Sequence, residues 1–305
     1  MPEIVEVKKY VDFINHYLHN NTIKQIKIIN GRYKKHGPFE GYNKLIKSLP
    51  ISNAKAYSKG KFIYIIIDDI VLFNTLGLSG GWLYYLPKTK KYIHPDMTEF
   101  LNVKNVDKYL ENSINHVNVE FKLKKGTLYF FDTLSYGTLK VVSNIDSTEL
   151  DTKLNMLGPD VFNISLKEFN ERLKQNKNLN KKIGVVLVDQ KVIAGIGNYI
   201  RSDCLWLAKL SPHNLVKNLD DNDIKKLYKS ILSIIWSEYD YKYALKKKVI
   251  TKNYKRPIDF NRDFFVYFEE KDIYGNKVKK ELLYEGTQKR YIYWCPQIAK
   301  LSKLN

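Results

Sequence analysis

The sequence predicts an α+β protein of several domains, with a β-sandwich flanked by helices first, a helical region second and a small β-hairpin last. Three observations support this: glycine-punctuated β-like runs fill 22–142, a helical period fills 147–246, and turn-linked β-like runs return after residue 263. Many short strands joined by glycine turns are typical of a sandwich or barrel-like sheet. We therefore expect three parts, covering residues 1–146, 147–250 and 251–305.

The first predicted element is a helix over residues 3–20, in which apolar side chains recur at helical spacing. Glu3 and Glu6 lie in its first turn, where the helix dipole favours acidic side chains. Pro2 stands at the helix start, a position that proline tolerates. The residue that follows Met1 is therefore expected to be held on a rigid element.

The β-like runs of the first part are short and mostly hydrophobic, as half-buried strands are. They cover residues 23–29, 61–67, 70–74, 82–85, 117–123 and 127–131. Short helical insertions are expected at residues 45–49 and 106–110.

The helical region predicts helices over residues 166–175, 182–188, 198–207 and 221–241. Ser165 precedes the first with Glu168 three residues later, the spacing of a capping box. Gly195 and Gly197 directly precede the third, where glycine lets the backbone approach a phosphate at a helix start. A tight turn with Asn198 as a helix cap is the alternative interpretation.

The last part begins with a polar, basic linker over residues 247–262. Strands are expected at 264–268, 279–284 and 291–294, with turns at 274–276 and at Gly286. Gly275-Asn276 is a pair typical of hairpins.

The formal net charge of +19 favours a polyanionic partner, most often nucleic acid, with an anionic membrane surface as second choice. Two cysteines, Cys204 and Cys295, exclude a disulfide framework and a four-cysteine zinc site. The sequence shows no signal-peptide core, and its longest apolar run, 62–67, is too short to span a bilayer. We expect an intracellular soluble protein without cofactor or metal.

Pro2 has a specific chemistry if Met1 is removed, because its nitrogen then becomes a free secondary amine. Such an amine attacks an aldehyde carbon and forms an iminium ion. An α-amine titrates near pH ~8, so part of it is unprotonated at neutral pH. Glu3, one residue away, is a candidate proton shuttle. The alternative is that Met-Pro is a common and meaningless start.

The motifs occur in an order that resembles the formamidopyrimidine-DNA glycosylase/endonuclease VIII family of base-excision repair enzymes. The family's opening Pro-Glu-x-x-Glu-Val is matched at residues 2–7, and its Gly-Lys-aromatic motif at 60–62. Its Ser-Gly segment is resembled by 76–80, its Leu-Gly-Pro-Asp/Glu junction is identical at 157–160, and its Asp-Gln…Gly-x-Gly-Asn block is matched over 187–198. The resemblance spans the whole chain.

The resemblance implies a helix–two-turn–helix domain, a β-hairpin finger and a bifunctional DNA glycosylase/AP lyase. The implied catalytic residues are the Pro2 nucleophile, the proton carrier Glu3, its supporting acid Glu6 and the phosphate-binding Lys61. The implied DNA contacts are Asn198, Arg290, Leu78, Tyr136, Gly195, Gly197 and, more weakly, Asp203. For Glu6 a helix-dipole acid, and for Lys61 and Arg290 a surface charge, are the alternatives.

The chain departs from the common family pattern at two places. Only Cys295 lies in the finger, which resembles the zincless finger of some endonuclease VIII-like members from animals and large DNA viruses, with aromatic packing in place of the metal. Leu134 stands where the family has an arginine that pairs with the orphaned base. We therefore predict weak discrimination of the base opposite the lesion.

The implied partner is damaged double-stranded DNA, with single-stranded DNA left open, bound by a monomer in the nucleus, the cytoplasm or a viral replication site. A catalytically silent damaged-DNA-binding protein of the same fold is the alternative. A proline-based tautomerase would use the same amine, but nothing in such an enzyme calls for the charge or the Asn198 region.

Overall fold

The computed structural model describes residues 2–95, 112–143, 148–243, 264–285 and 288–300. The chain divides into two compact units, Met1–Asn155 and Met156–Asn305. The predicted helix at 106–110, the linker at 247–262 and the turn at Gly286 lie outside the described residues. Within the described residues, no helix has the length and apolar character needed to cross a membrane.

The first unit contains two antiparallel sheets among its described residues, one of five strands in the order β1-β7-β8-β5-β6 and one of four in the order β2-β3-β4-β9. The strands are β1 Ile23–Ile28, β2 Ala54–Lys59, β3 Phe62–Ile67, β4 Ile70–Thr75, β5 Gly80–Leu86, β6 Lys91–Ile93, β7 Val117–Leu123, β8 Thr127–Asp132 and β9 Thr138–Ser143. Buried side chains of both sheets share one core, and Trp82 on β5 donates to Asn74 on β4 at 3.0 Å. The predicted sandwich is confirmed.

Helix α1, Ile4–Leu18, belongs to the same core and packs against β2, β3 and β5. Val5, Val7 and Ile14 are fully enclosed, and burying a side chain of this kind stabilises a fold by about 1.5–3 kcal/mol. Asn15 fixes the helix on β2, since its side chain both donates to the carbonyl of Ala56 (2.9 Å) and accepts its N–H (2.7 Å). The smaller helices of this unit are α2 Gly31–His36, α3 Tyr42–Lys47 and α4 Thr148–Asn155.

The second unit contains helices followed by a β-hairpin. The helices are α5 Leu166–Leu173, α6 Ile183–Val186, α7 Asn198–Ala208 and α8 Asp221–Tyr243, with 3₁₀ turns at Asn176–Asn178 and Val216–Asn218. Ser165 caps α5 as predicted, accepting the N–H of Glu168 at 3.1 Å. Strands β10, Lys279–Glu285, and β11, Gln288–Trp294, pair antiparallel. Helix α7 packs against both α8 and β11.

The prediction of a strand at 264–268 is wrong, because this segment forms bends and turns. Its aromatic residues suit a strand, yet three of its N–H groups donate to the carboxylate of Asp203 instead of to a neighbouring strand. The turn predicted at 274–276 is confirmed by an isolated pairing of Lys271 with Lys277.

Candidate nucleic-acid interface and catalytic site

Pro2 is held directly before the first turn of α1. Glu3 is the N-cap of the helix, and Glu6 accepts the Glu3 N–H at 2.8 Å as part of a capping box. Glu3 is 1% exposed, whereas Pro2 and Glu6 are half-buried. Glu6 thus fixes the backbone that carries Pro2 and Glu3, which gives it a positioning role in addition to its favourable place at the helix dipole.

Lys61 lies in the two-residue turn between β2 and β3, one residue before the strand on which it was expected. Gly60 precedes it with φ +56°, a conformation that glycine adopts without strain. The side chain of Lys61 is half-buried. The tight turn holds its backbone rigidly at the end of a hairpin against which α1 packs.

Two loops of the first unit cross between the sheets side by side. Residues 76–79 join β4 to β5, and residues 133–137 join β8 to β9. The strands that bound them are paired, Thr75 with Thr138 on one sheet and Gly80 with Asp132 on the other. The topology therefore requires the two loops to lie at the same end of the sandwich.

Asp132 binds the two loops together through its buried carboxylate, which is 1% exposed. It accepts the Ser79 hydroxyl at 2.6 Å, the Gly137 N–H at 2.5 Å and the Leu134 N–H at 3.3 Å. The Ser79 oxygen in turn accepts the Leu134 N–H at 2.8 Å. The backbones also touch, since a Cβ on Gly77 would come within 2.7 Å of Gly137.

Three large apolar side chains project from these joined loops into solvent. Leu78 is 45% exposed, Leu134 53% and Tyr136 62%. Apolar groups held on a rigid platform at one end of a fold are typical of a binding surface. The predicted DNA contacts Leu78 and Tyr136 therefore lie on the same pair of joined loops, as does Leu134, and these three exposed side chains are called the wedge below.

In the second unit, Gln190 closes the loop before α7. Its side chain donates to the carbonyls of Val188 and Ile196, both at 2.9 Å, and accepts the Gly195 N–H at 2.9 Å. Gly195 has φ +113° and Gly197 is the N-cap of α7. Sequence reasoning assigned Gln190 no role, although it lies inside the matched 187–198 motif.

Asn198 is the first residue of α7 and is half-buried. Helix α7 begins at the predicted Asn198; a helix start of this kind can present backbone N–H groups to an anion, and the phosphate contact stays a prediction. Arg290 lies on β11 opposite Leu283 and is also half-buried. Asn198 and Arg290, both expected to contact DNA, therefore belong to the second unit.

Asp203 does not face solvent, contrary to the predicted DNA contact. It is 2% exposed, and its carboxylate accepts the N–H groups of Phe265, Val266 and Tyr267 at 3.0–3.2 Å. In this geometry its role is to hold the segment that leads into the hairpin.

Asp272 is a second buried carboxylate that organises the base of the hairpin. It accepts the Trp206 indole N–H at 3.0 Å, the backbone N–H groups of Tyr274 and Asn276 at 2.9 Å, and the Asn276 amide at 3.0 Å. Burial opposes ionisation of Asp272, but these hydrogen bonds outweigh it and lower its pKa.

Cys295 is buried beside Asp272, and burial together with that carboxylate raises the pKa of its thiol to about 12. A thiol in this state is a poor metal ligand, because the thiolate is the ligating form. Within the described part of the chain, no group of three or more His, Cys, Asp or Glu side chains could hold a metal ion.

Three family models match the chain in order. The formamidopyrimidine-DNA glycosylase N-terminal domain matches residues 1–139, the H2TH domain of the same enzymes matches 157–244, and their C-terminal domain matches 256–300.

Curated relatives and solved structures agree with these matches. Formamidopyrimidine-DNA glycosylases from Ureaplasma parvum and Oceanobacillus iheyensis are 29% and 28% identical, covering 77% and 74% of this chain and 77% and 72% of their own. The Lactococcus lactis enzyme bound non-covalently to AP-site DNA superposes with TM-score 0.69 at 22% identity, covering 98% of this chain and 99% of that one. A mutant of the same enzyme in complex with Fapy-dG DNA gives a TM-score of 0.71 at 21% identity, covering 98% of this chain and 100% of that one. The structural likeness establishes the fold, and the chain belongs to the formamidopyrimidine-DNA glycosylase family, whose members are DNA N-glycosylases with AP lyase activity.

Proposed function

We propose that this protein is a bifunctional DNA glycosylase/AP lyase of base-excision repair that removes oxidised bases through an N-terminal proline Schiff base. The observation that carries the proposal is the placement of Pro2 at a capped helix start, next to the enclosed carboxylate of Glu3. Removal of Met1 frees the Pro2 amine.

The reaction begins when the Pro2 lone pair attacks C1′ of the damaged nucleotide. The glycosidic bond breaks with its electron pair, and the departing base takes up a proton, which Glu3 supplies or relays. The Pro2 nitrogen then gives up its proton, and the C1′–O4′ bond breaks with its electron pair going to O4′, which takes up a proton. The iminium ion that remains acidifies the C2′ proton. Loss of that proton breaks the C3′–O bond by β-elimination, δ-elimination then breaks the C5′–O bond, and water releases Pro2.

DNA binding rests on phosphate contacts. Asn198 at the start of α7 and Arg290 on β11 hold phosphates of the damaged strand, and Lys61 holds the backbone at the lesion. The net charge of +19 supports this, since Lys and Arg that neutralise phosphates release counterions. Gly195 and Gly197 let the backbone before Asn198 approach the DNA closely.

The sugar carbon is reached only if the nucleotide leaves the helix stack, at a cost of a few kcal/mol. Leu78, Leu134 and Tyr136, which project from the joined loops, fill the space that it vacates. A leucine cannot read a hydrogen-bonding edge, so we expect weak preference among the four opposite bases.

The finger is proposed to be of the zincless type. The Asp272 hydrogen bonds and the contacts of Phe264, Tyr267 and Tyr293 supply the order that a metal would provide. The ring of Trp206 stacks on Phe265 at 4.8 Å and extends this packing into α7.

Borohydride trapping on an oligonucleotide with an abasic site tests the mechanism. The intact mass of the wild-type protein is first checked to establish that the preparation begins at Pro2. This protein is expected to form a covalent adduct and to cut the strand. Pro2→Gly should lower both the rate and the trapped yield, whereas Pro87→Gly, at an exposed turn of the same unit, should change neither.

The catalytically silent DNA-binding protein is the competing hypothesis, and it predicts binding of the same oligonucleotide without adduct or cleavage. Equal trapping of wild type and Pro2→Gly would show that the proline ring is not required, and an adduct that maps outside the N-terminal peptide would exclude Pro2 as the nucleophile. Activity in a preparation that retains Met1 would overturn the mechanism, because Pro2 would then be an amide.

A further inference from the structure

Arg201 has a fully buried guanidinium that no sequence motif singled out. It lies on α7, three residues after Asn198, and is 1% exposed. Arginine is almost never fully buried without partners, because its charge loses hydration.

The guanidinium joins three elements. Its Nη1 donates to the carbonyl of Gly184 on α6 at 2.9 Å. Its Nη2 donates to the carbonyl of Tyr291 on β11 at 2.5 Å and to the side-chain oxygen of Asn198 at 3.4 Å. One nitrogen therefore contacts both the Asn198 side chain and the residue that follows Arg290.

The contact with Asn198 determines which way its amide is oriented. With Oδ1 facing Arg201, Nδ2 is directed elsewhere, and among the described residues it donates to no protein acceptor. This leaves an oriented N–H donor at a helix start, which is what a phosphate oxygen requires.

The contact with Tyr291 fixes the finger strand against α7. A second bond supports the same register, since the Tyr293 N–H donates to the Ser202 hydroxyl at 3.3 Å. Arg290 lies on β11 directly before Tyr291 and pairs with Leu283 on β10. The bond to the Tyr291 carbonyl therefore ties the strand that carries Arg290 to the helix that begins with Asn198.

We propose that Arg201 is a positioning residue that pre-orients both phosphate clamps, Asn198 directly and Arg290 through the β11 backbone. The inference rests on the proposed function, in which these two residues hold the damaged strand. Pre-orientation matters because donors that are already in place do not have to be ordered when DNA binds.

The test measures affinity for a duplex with a tetrahydrofuran abasic-site analogue over a range of salt concentrations. Arg201→Met removes the donors at nearly constant length, and Arg201→Lys keeps the charge but cannot serve all three acceptors. Arg172→Met is the matched control, since it removes the same charge from the surface of α5, where Arg172 pairs with Glu168.

We expect Arg201→Met to weaken binding about tenfold and to reduce the slope of log K against log salt by about 0.9 for each phosphate that the variant no longer neutralises. Arg201→Lys should recover part of this, and Arg172→Met should leave the slope near the wild-type value. In the Asn198→Ala background, Arg201→Met should add less than its single effect, because the part that acts through Asn198 is already lost and only the part through Arg290 remains.

A lower melting temperature with unchanged affinity and salt slope would make Arg201 purely structural and overturn the proposal. Additive effects in the double variant, or loss of folding in both Arg201 variants, would overturn it as well. Failure of the proposed function is recognised separately, because wild-type protein would then form no borohydride-trapped adduct whatever the Arg201 variants do.

Discussion

Asp132→Asn should loosen the two loops that carry the proposed wedge. The substitution keeps the size of the side chain but converts one of its two acceptor oxygens into a donor. Both oxygens are in use, one by Ser79 and Leu134 and the other by Gly137. Any orientation of the new amide therefore loses at least one of these hydrogen bonds, and with Nδ2 toward Gly137 two buried donors face each other.

The magnitude follows from these hydrogen bonds. A hydrogen bond to a charged group contributes about 1.5–3 kcal/mol, and a buried donor left without a partner costs a similar amount. Since the substitution removes one such bond at a site that is 1% exposed, we expect the free energy of unfolding to fall by about 2–3 kcal/mol. Asp69→Asn, at an exposed turn of the same unit, should change it by less than about 0.5 kcal/mol.

Two assays check the prediction: urea denaturation, and excision of an oxidised base under single-turnover conditions. Asp132→Asn should slow excision at a temperature where it is still folded, while cleavage of an already abasic, single-stranded oligonucleotide should be less affected, since no duplex must be opened. If Asp132→Asn matched Asp69→Asn in both stability and excision, the idea that Asp132 holds the wedge would be wrong.

Two further predictions concern the opposite base and the finger. Leu134→Arg, at a side chain that is 53% exposed, should add a preference for one opposite base of about tenfold, as one good base contact contributes about 1–3 kcal/mol; a strong preference already present in the wild type would contradict this. Asp272→Asn should destabilise the second unit at neutral pH. Because the folded pKa of Asp272 is lowered, its stabilising contribution is present above about pH 4 and is lost as the pH falls through the folded pKa. The gap in unfolding free energy between wild type and variant should therefore narrow in acid, and a gap independent of pH would refute the role of the carboxylate.

Local patterns predicted much of the fold. Strand β7 has the predicted bounds 117–123, α7 begins at the predicted Asn198, and Ser165 caps α5. These features depend on residues close together in the chain: strand-forming runs, a glycine pair before a helix, and a hydroxyl three residues from an N–H. The proposed site residues Pro2, Glu3 and Lys61 also stand in short motifs.

Strand β2 was not predicted, because it depends on contacts between residues that are far apart in the chain. Its sequence, Ala-Lys-Ala-Tyr-Ser-Lys, has no marked strand pattern, and it is held as a strand by pairing with β3 and by the bonds between Asn15 and Ala56. The bonds to Asn15 join residues that are far apart in the chain, so no local pattern shows them.

The sequence by itself supplied the groups on which the proposed chemistry rests: a proline next to an acid after Met1, a net positive charge that favours a polyanion, and a glycine-bounded helix start that suits a phosphate. Only the tertiary structure decided how those groups are held. Nothing in the sequence marks Asp132, Asp203, Asp272 and Arg201 as buried, yet all four are, and each binds groups from a distant segment. A buried charge is stable only where its partners converge, and that convergence is a property of the fold.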